Sequence, residues 1–278
     1  MKIFLSVLIL LAGCIGTATA GDNVKVIYKA QKPSYTNPGL VNKSDMILIA
    51  SPDKSLYFNE TSLYCDSMTS TPEGKKALRE MQMAAWMTVT PTGITFNKNN
   101  SNVPDKKIYQ YIEKDNGSAT IHEYNEWAKE AGYYTEPFDE LQWEIEDSTT
   151  TILGFECIKA KADYHGRQWT AWFTPEIPVS DGPWKLRGLP GLILRAYSND
   201  LFLFEATEVN STDSEVPTIY STDSYAKIDR KKAFANQEHY NNNREAYLKA
   251  RYGDVKIVSQ GKKEHKFEKL KHAIETDY

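Results

Sequence analysis

The chain has 278 residues, 41% of them hydrophobic and 12% aromatic, enough apolar material for one large core or two small ones. Its formal net charge of −4 is unevenly spread: residues 21–225 carry 19 Lys and Arg against 29 Asp and Glu, whereas residues 226–272 carry 13 against 6. An acidic body with a basic tail argues against a nucleic-acid partner, because binding a polyanion needs the positive field on the folded surface.

Lys2 precedes an aliphatic run over residues 3–11, and Ala18-Thr19-Ala20 offers the small residues that signal peptidase requires, so residues 1–20 read as a signal peptide. The run is shorter than the roughly 20 apolar residues that span a bilayer, and no later segment is longer, so no transmembrane helix is expected. Leu11-Ala12-Gly13-Cys14 also has the form of a lipobox, which would put a lipid anchor on Cys14. Both readings place the protein outside the cytoplasm: periplasmic or secreted in the first, an outer-membrane lipoprotein in the second. In an oxidising compartment the remaining pair, Cys65 and Cys157, predicts a disulfide. Two cysteines so far apart make no zinc site by themselves.

Residues 24–30 (VKVIYKA) read as a strand, and 45–50 with 55–59 as a hairpin across Ser51-Pro52-Asp53-Lys54. At Thr71 the rhythm changes. Thr71 is a good N-cap, Pro72 suits a first helical position, and Ala77, Leu78, Met81, Ala84 and Ala85 recur at helical spacing, which predicts a helix covering a sheet. Strands follow at 107–113, at 118–124 beyond an Asp115-Asn116-Gly117 turn, and at 142–147, where Trp143 and Ile145 share one face. Residues 155–164 pair with 168–174 across a His165-Gly166-Arg167 turn, and 192–198 with 201–209 across Asn199-Asp200. Short strands joined by tight turns mean a mainly β fold of antiparallel neighbours.

Residues 210–224 are polar and turn-rich and read as a linker or long loop. Beyond it, 225–278 forms a basic, partly helical extension, with a break at Asn241-Asn242-Asn243 and a short helix within 265–274. The expected organisation is therefore a signal peptide (1–20), a β-rich domain (21–209), a linker (210–224) and the extension (225–278).

No nucleophile elbow, phosphate-binding glycine loop or dinucleotide fingerprint occurs, so no catalytic residue and no cofactor are assigned. His122-Glu123 opens like a zinc-protease helix, but position 126 is Glu and the segment reads as a strand, so no metal site is assigned either. Glu144 and Glu146 share a strand face and leave a hydrolase with spatially assembled carboxylates as an alternative, although alternate acids on the wet face of a sheet are ordinary.

The stronger signal is aromatic. Trp169, Trp172 and Trp184 fall within sixteen positions, and Trp169 and Trp172 face opposite sides of one strand unless a bulge intervenes. An outward indole marks a contact surface, whereas loops folded over the strand would bury all three. Residues 182–194 (GPWKLRGLPGLIL) then form a stiff corner. Gly188 and Gly191 permit special backbone geometry, and Pro190 fixes its own φ and extends Leu189. Such a corner either plugs the end of a barrel or forms the lip of a pocket.

Residues 152–160 (ILGFECIKA), 169–178 (WTAWFTPEIP), 182–184 (GPW) and 188–193 (GLPGLI) closely resemble the GLPGLI family over residues 152–198. That family comprises secreted envelope proteins of Gram-negative bacteria without an established activity. Lys185-Leu186-Arg187 departs from its more aromatic or glycine-bearing pattern. A weaker similarity, through Trp143, Ile145, Gly154, Cys157 and Lys159, looks like periplasmic carriers of the lipoprotein-chaperone type. That resemblance implies a curved antiparallel sheet or open barrel around an apolar groove, and fold alone does not imply function. The expectation is a non-catalytic envelope protein that binds an apolar or extended ligand, lipid or peptide, or docks on an outer-membrane partner. Trp169, Trp172, Trp184, Leu189 and Pro190 are expected to form its groove or lip. A second expectation is that the basic extension grips an acidic partner or anionic membrane, or else packs back on the acidic body.

Overall fold

The fold is taken from a computed structural model that describes residues 23–34, 40–91, 93–97, 102–138, 141–253 and 267–278. Residues 1–20, expected to be a signal peptide, and Cys14 among them lie outside the described residues. Strand β1 (Asn23–Pro33) buries Val26 and Tyr28 on one face, and the Tyr28 hydroxyl donates to the Ile193 carbonyl at 2.7 Å. It pairs antiparallel with β2 (Val41–Ala50), which turns at Ser51 into β3 (Lys54–Phe58) as the turn chemistry predicts. Helix α1 (Glu60–Thr69), which sequence reading missed, starts where the Asn59 side chain accepts from the Ser62 amide. Helix α2 (Pro72–Trp86) starts as predicted: Thr71 caps the Gly74 amide and Pro72 takes the first helical position. Helix α1 lies against β2, and α2 packs on α1. A separate hairpin, β4 (Met87–Thr90) with β5 (Gly93–Phe96), follows.

Two meanders complete the sheet. The first is β6 (Tyr111–Asp115), β7 (Thr120–Trp127) and β8 (Glu130–Pro137). The second is β9 (Glu144–Ile152), β10 (Phe155–Tyr164), β11 (Arg167–Thr174), β12 (Leu192–Ser198) and β13 (Phe202–Thr212). A 3₁₀ turn (Thr222–Ser224), β14 (Ala226–Lys227) and helices α3 (Arg230–Asn242), α4 (Arg244–Tyr252) and α5 (Lys269–His272) follow. The twelve-stranded sheet runs β14-β8-β7-β6-β3-β2-β1-β13-β12-β11-β10-β9, antiparallel except for the β14–β8 pair. It is strongly curved but does not close into a barrel.

The main core lies on the concave face, where Val26, Tyr28, Leu48, Tyr57, Ile112 and Phe204 meet Trp169 and the segment after β11. Alternation along β2 sends Ile47 and Ile49 to the opposite face, into a second core with Leu56, Phe58 and Tyr111. Val216 and Ile219 cover that second core, 8% and 7% exposed. Residues 210–212 thus continue β13, and 213–221, read from composition as a linker or long loop, form a loop that packs on the body through Val216 and Ile219. Strand β8 was also unanticipated, because Gly132, Tyr134 and Glu136 give its inner face no apolar alternation. Among the described residues, no helix is long and apolar enough to cross a membrane.

Candidate functional site

The corner at residues 182–194 closes the β10–β13 half of the concave face. Trp184, at φ 53°, packs on Trp169 with ring centroids 5.3 Å apart, and Trp169 stacks on Phe204 at 5.9 Å. Gly191 sits where an added Cβ would lie 2.2 Å from the Thr174 carbonyl oxygen, so only glycine fits that close approach. Gly188, at φ 91°, faces the Trp143 indole, whose N–H donates to the Arg187 carbonyl at 2.7 Å. Lys114 reaches from β6 to Asp181 and to the Gly182 carbonyl and pins the start of the corner.

The five residues expected at a groove lie elsewhere. Trp169, Trp184 and Leu189 are buried in the core, because the corner folds back over β11. Trp172 is half-buried on the other face of β11, opposite Lys159 and Arg195, as the odd spacing from Trp169 requires. Pro190 is exposed at the tip of the corner. The corner is therefore a plug and not a lip. The predicted disulfide is also corrected. Cys65 and Cys157 are free and buried, because α1 carries the first outside the main core and β10 places the second within it. Burial raises both thiol pKa values, that of Cys157 to about 11.

A cavity of about 520 Å³ lies over the rest of the concave face and reaches Phe202 and Phe204 of β13. Its floor is apolar, made by Met46, Tyr57, Ile108, Phe202 and Phe204. Its walls are polar, with Gln31, Asn42 and Ser44 on one side and Gln110, Glu123 and Asn125 on the other. Trp127 and Phe234 add aromatic edges, and Tyr240, Ile274 and Tyr278 of the C-terminal part form a roof.

Between cavity and corner lies a buried ionic cluster. Strands β7 and β8 place Glu123 directly across from Tyr134, and Glu136 points to the same side two residues on. Lys185, 0% exposed, extends from the corner and lies 3.0 Å from Glu123, 3.1 Å from Glu136 and 2.5 Å from Glu275. It also donates to the Tyr134 hydroxyl at 2.6 Å, and that hydroxyl donates to Glu123 at 2.6 Å. His165, in the β10–β11 turn, lies 3.2 Å from Glu136 and 3.3 Å from Asp277. Arg230, opening α3, holds Glu275 and Asp277 at 2.5 Å each. Strand β8 stands near one end of the sheet and β10 near the other. The cluster therefore fastens the two ends of an open sheet to each other and to the C-terminus.

Four carboxylates here face two fixed cations and one histidine. Burial disfavours the Lys185 ammonium, but Glu123, Glu275 and Glu136 outweigh it and hold its pKa above the usual lysine value. Burial likewise pushes Glu136 upward, yet Lys185 and His165 hold it down at about 2. Burial opposes the His165 imidazolium, but the Glu136 hydrogen bond and the Glu275 charge raise its pKa. Glu275 is the exception: burial wins over Lys185 and His165, and its pKa is raised. Burial also opposes ionisation of Asp277, and the Arg230 hydrogen bond brings it to about 2.

Ligand atoms of His165, Glu275 and Asp277 lie within 4.8 Å of one another, close enough to hold a metal ion. Arg230 and Lys185 already compensate these carboxylates, so a metal would have to displace two cations. Glu144 and Glu146, the carboxylates of the hydrolase alternative, lie on edge strand β9, where Glu146 is paired with Lys159 at 3.0 Å and Lys161 at 2.7 Å. The basic extension packs back on the body through α3 and Glu275. Sequence reasoning missed the cluster. Its one local signal was Lys185-Leu186-Arg187, cations set inside an apolar turn; Glu136 and Glu275 carried none.

Residues 165–195 match the model of a family described as "Protein of unknown function (Porph_ging)". The match takes in His165, Arg167, Trp169, Trp172 and the corner with Lys185. No curated protein matches the chain. Two structures of PNGF-II, in the C2 and P21 space groups, are similar at 15% identity, with TM-scores of 0.50 and 0.49 over 78% and 77% of this chain. This chain spans only 32% of the length of PNGF-II, and at that identity the likeness concerns the fold alone.

Proposed function

We propose that the protein is a GLPGLI-type, non-catalytic envelope component, exported by its N-terminal signal, that holds an extended amphipathic ligand in the cavity. The observation that supports this reading is the hollow of about 520 Å³ between apolar floor and polar walls, within the range of ligand sites, roughly 300–1,000 Å³. An apolar floor takes a hydrocarbon or aromatic side, and the amide and hydroxyl groups of Gln31, Asn42, Ser44, Gln110 and Asn125 offer hydrogen bonds to a polar one. The mixed wall favours an acyl chain with a polar head, or a peptide, over bare hydrocarbon. The ligand site moves from the tryptophans of the corner to the surface around Trp127.

Trp127 lines the cavity and reports on it. Titration with the fluorescent acyl chain parinaric acid and with extended peptides is expected to show saturable energy transfer from, or quenching of, Trp127. The signal should weaken in Trp127→Phe, leaving the share from Trp169 behind Phe204, and binding should vanish in Ser44→Trp, which fills the hollow. A flat response to both ligand classes, or unchanged binding by Ser44→Trp, sinks the reading.

A further inference from the structure

The last residues of the chain are held as a bound peptide is held. The Thr276 amide donates to the His165 carbonyl at 2.9 Å, and the Thr276 hydroxyl to the Gly166 carbonyl at 2.9 Å. The Arg167 guanidinium donates to the carbonyls of Ala273 and Ile274 at 3.0 and 3.1 Å, and to that of Leu270 at 2.8 Å. The Glu275 side chain, 0% exposed, enters the protein to meet Lys185 and Arg230. Gly166, at φ 75°, leaves open the space where a Cβ would stand 2.3 Å from the Thr276 hydroxyl. The tail thus receives main-chain hydrogen bonds, one carboxylate in a deep cationic socket, and a second, Asp277, on Arg230 at the rim. Those are the elements of recognition for an extended acidic peptide.

Apart from Arg230, the receptor groups named here lie in residues 165–195, the stretch that matches the family model, whereas their occupant lies about a hundred positions later. Beside these charges and main-chain bonds, Phe267 and Ala273 are buried, Ile274 packs against the main core and Tyr278 stacks on Phe234 at 5.4 Å, so the segment offers apolar as well as acidic contacts. Lys185 keeps Glu123 and Glu136 as partners if Glu275 leaves, so the socket survives without its guest.

We propose that His165, Gly166, Arg167 and Lys185 form a peptide-binding site whose ligand class is a short acidic segment of the form Ile-Glu-x-Asp-aromatic, and that residues 273–278 are its resident, exchangeable occupant. Ala273, Ile274 and Tyr278 also line the cavity, so departure of the tail opens the cavity roof. The peptide site itself does not depend on the cavity reading.

The test uses the full chain carrying Glu275→Gln and Asp277→Asn, which frees the tail while leaving the socket intact. A labelled peptide of residues 267–278 is expected to bind this variant saturably by fluorescence anisotropy. The same peptide with Glu275→Gln, and the wild-type chain with its site filled, should each bind by roughly tenfold or more less tightly. No binding to a folded variant, or equal binding of the two peptides, overturns the proposal. Hydrogen exchange on the wild-type chain decides the matter even if the variant fails to fold. The Thr276 amide should exchange by local opening, well ahead of the Val26 and Tyr28 amides of β1, and exchange at the same rate as those overturns it. Parinaric acid added to both proteins separates the two readings: if it binds neither, the cavity reading falls while the peptide result stands.

Discussion

The two halves of the concave face share one curvature and are closed in opposite ways. Over β10–β13 the chain folds back on itself at once, and the apolar corner fills the space with Trp184 and Leu189. Over β2, β3, β6 and β7 the covering comes from far along the chain. It is made of polar α3, which buries only Ala233 and Tyr240, and of residues 267–278. The first closure packs to the density of a core, and the second leaves a hollow. A local, glycine-bearing apolar turn can approach a sheet closely enough to exclude everything else. A helix with a narrow apolar stripe stands off and must be fastened by charge.

The contrast can be broken by removing each closure in turn. Trp184→Ala takes a buried indole from the filled half and should cost about 3–5 kcal/mol in urea unfolding; a loss below about 1 kcal/mol would mean that the corner does not close this half. Lys185→Met leaves Glu123, Glu136 and Glu275 without their shared cation and should cost toward the lower end of about 3–5 kcal/mol at neutral pH. That loss should shrink as acid protonates the carboxylates, and a loss independent of pH contradicts the electrostatic account.

The dependence on pH sharpens the comparison further. Around His165 stand Glu136, Glu275 and Asp277, the Lys185 and Arg230 cations, and the rings of Tyr164 and Trp184. The folded pKa of His165 lies above the unfolded value of about 6.5, so its contribution is complete below that pH and is lost as pH rises through the raised value. Glu136 and Asp277, held at about 2, contribute above the ordinary carboxylate range and lose that contribution as pH falls toward 2. The tail should therefore be held best in mildly acidic solution, and the protection factor of the Thr276 amide, corrected for the intrinsic exchange rate at each pH, should fall on either side. In His165→Gln the alkaline limb should flatten, and an unchanged limb would assign the effect to another group.

The smallest effect is expected at the cysteines. A long-loop disulfide would contribute roughly 2–4 kcal/mol, so with both thiols free a reductant should leave the melting temperature unchanged. A fall on reduction would show that the pair is joined.

Much of the architecture was legible in local chemistry. Alternation and turn residues located β2, β3 and the β10–β13 hairpins to within a few residues, and Thr71-Pro72 marked the start of α2. The spacing of Trp169 and Trp172 correctly put them on opposite faces. Two features stayed hidden for one reason. Strand β8 buries Glu136 where a strand's inner face is ordinarily apolar, and the loop within 210–224 packs through Val216 and Ile219 among polar neighbours. Each looks polar until its distant partner is in place.

By itself, then, the amino-acid order determined β1 to β3 and β10 to β13, their turns, the cap of α2 and the rigidity of the corner, because each depends on neighbours within a few positions. Only the tertiary structure decided that the indoles would be filler, that the cysteines would stay apart, and that Glu275 would meet Lys185 across ninety residues. Burying a charge is tolerable only beside its counter-charge, and which counter-charge arrives is settled by how the curved sheet brings its two ends together.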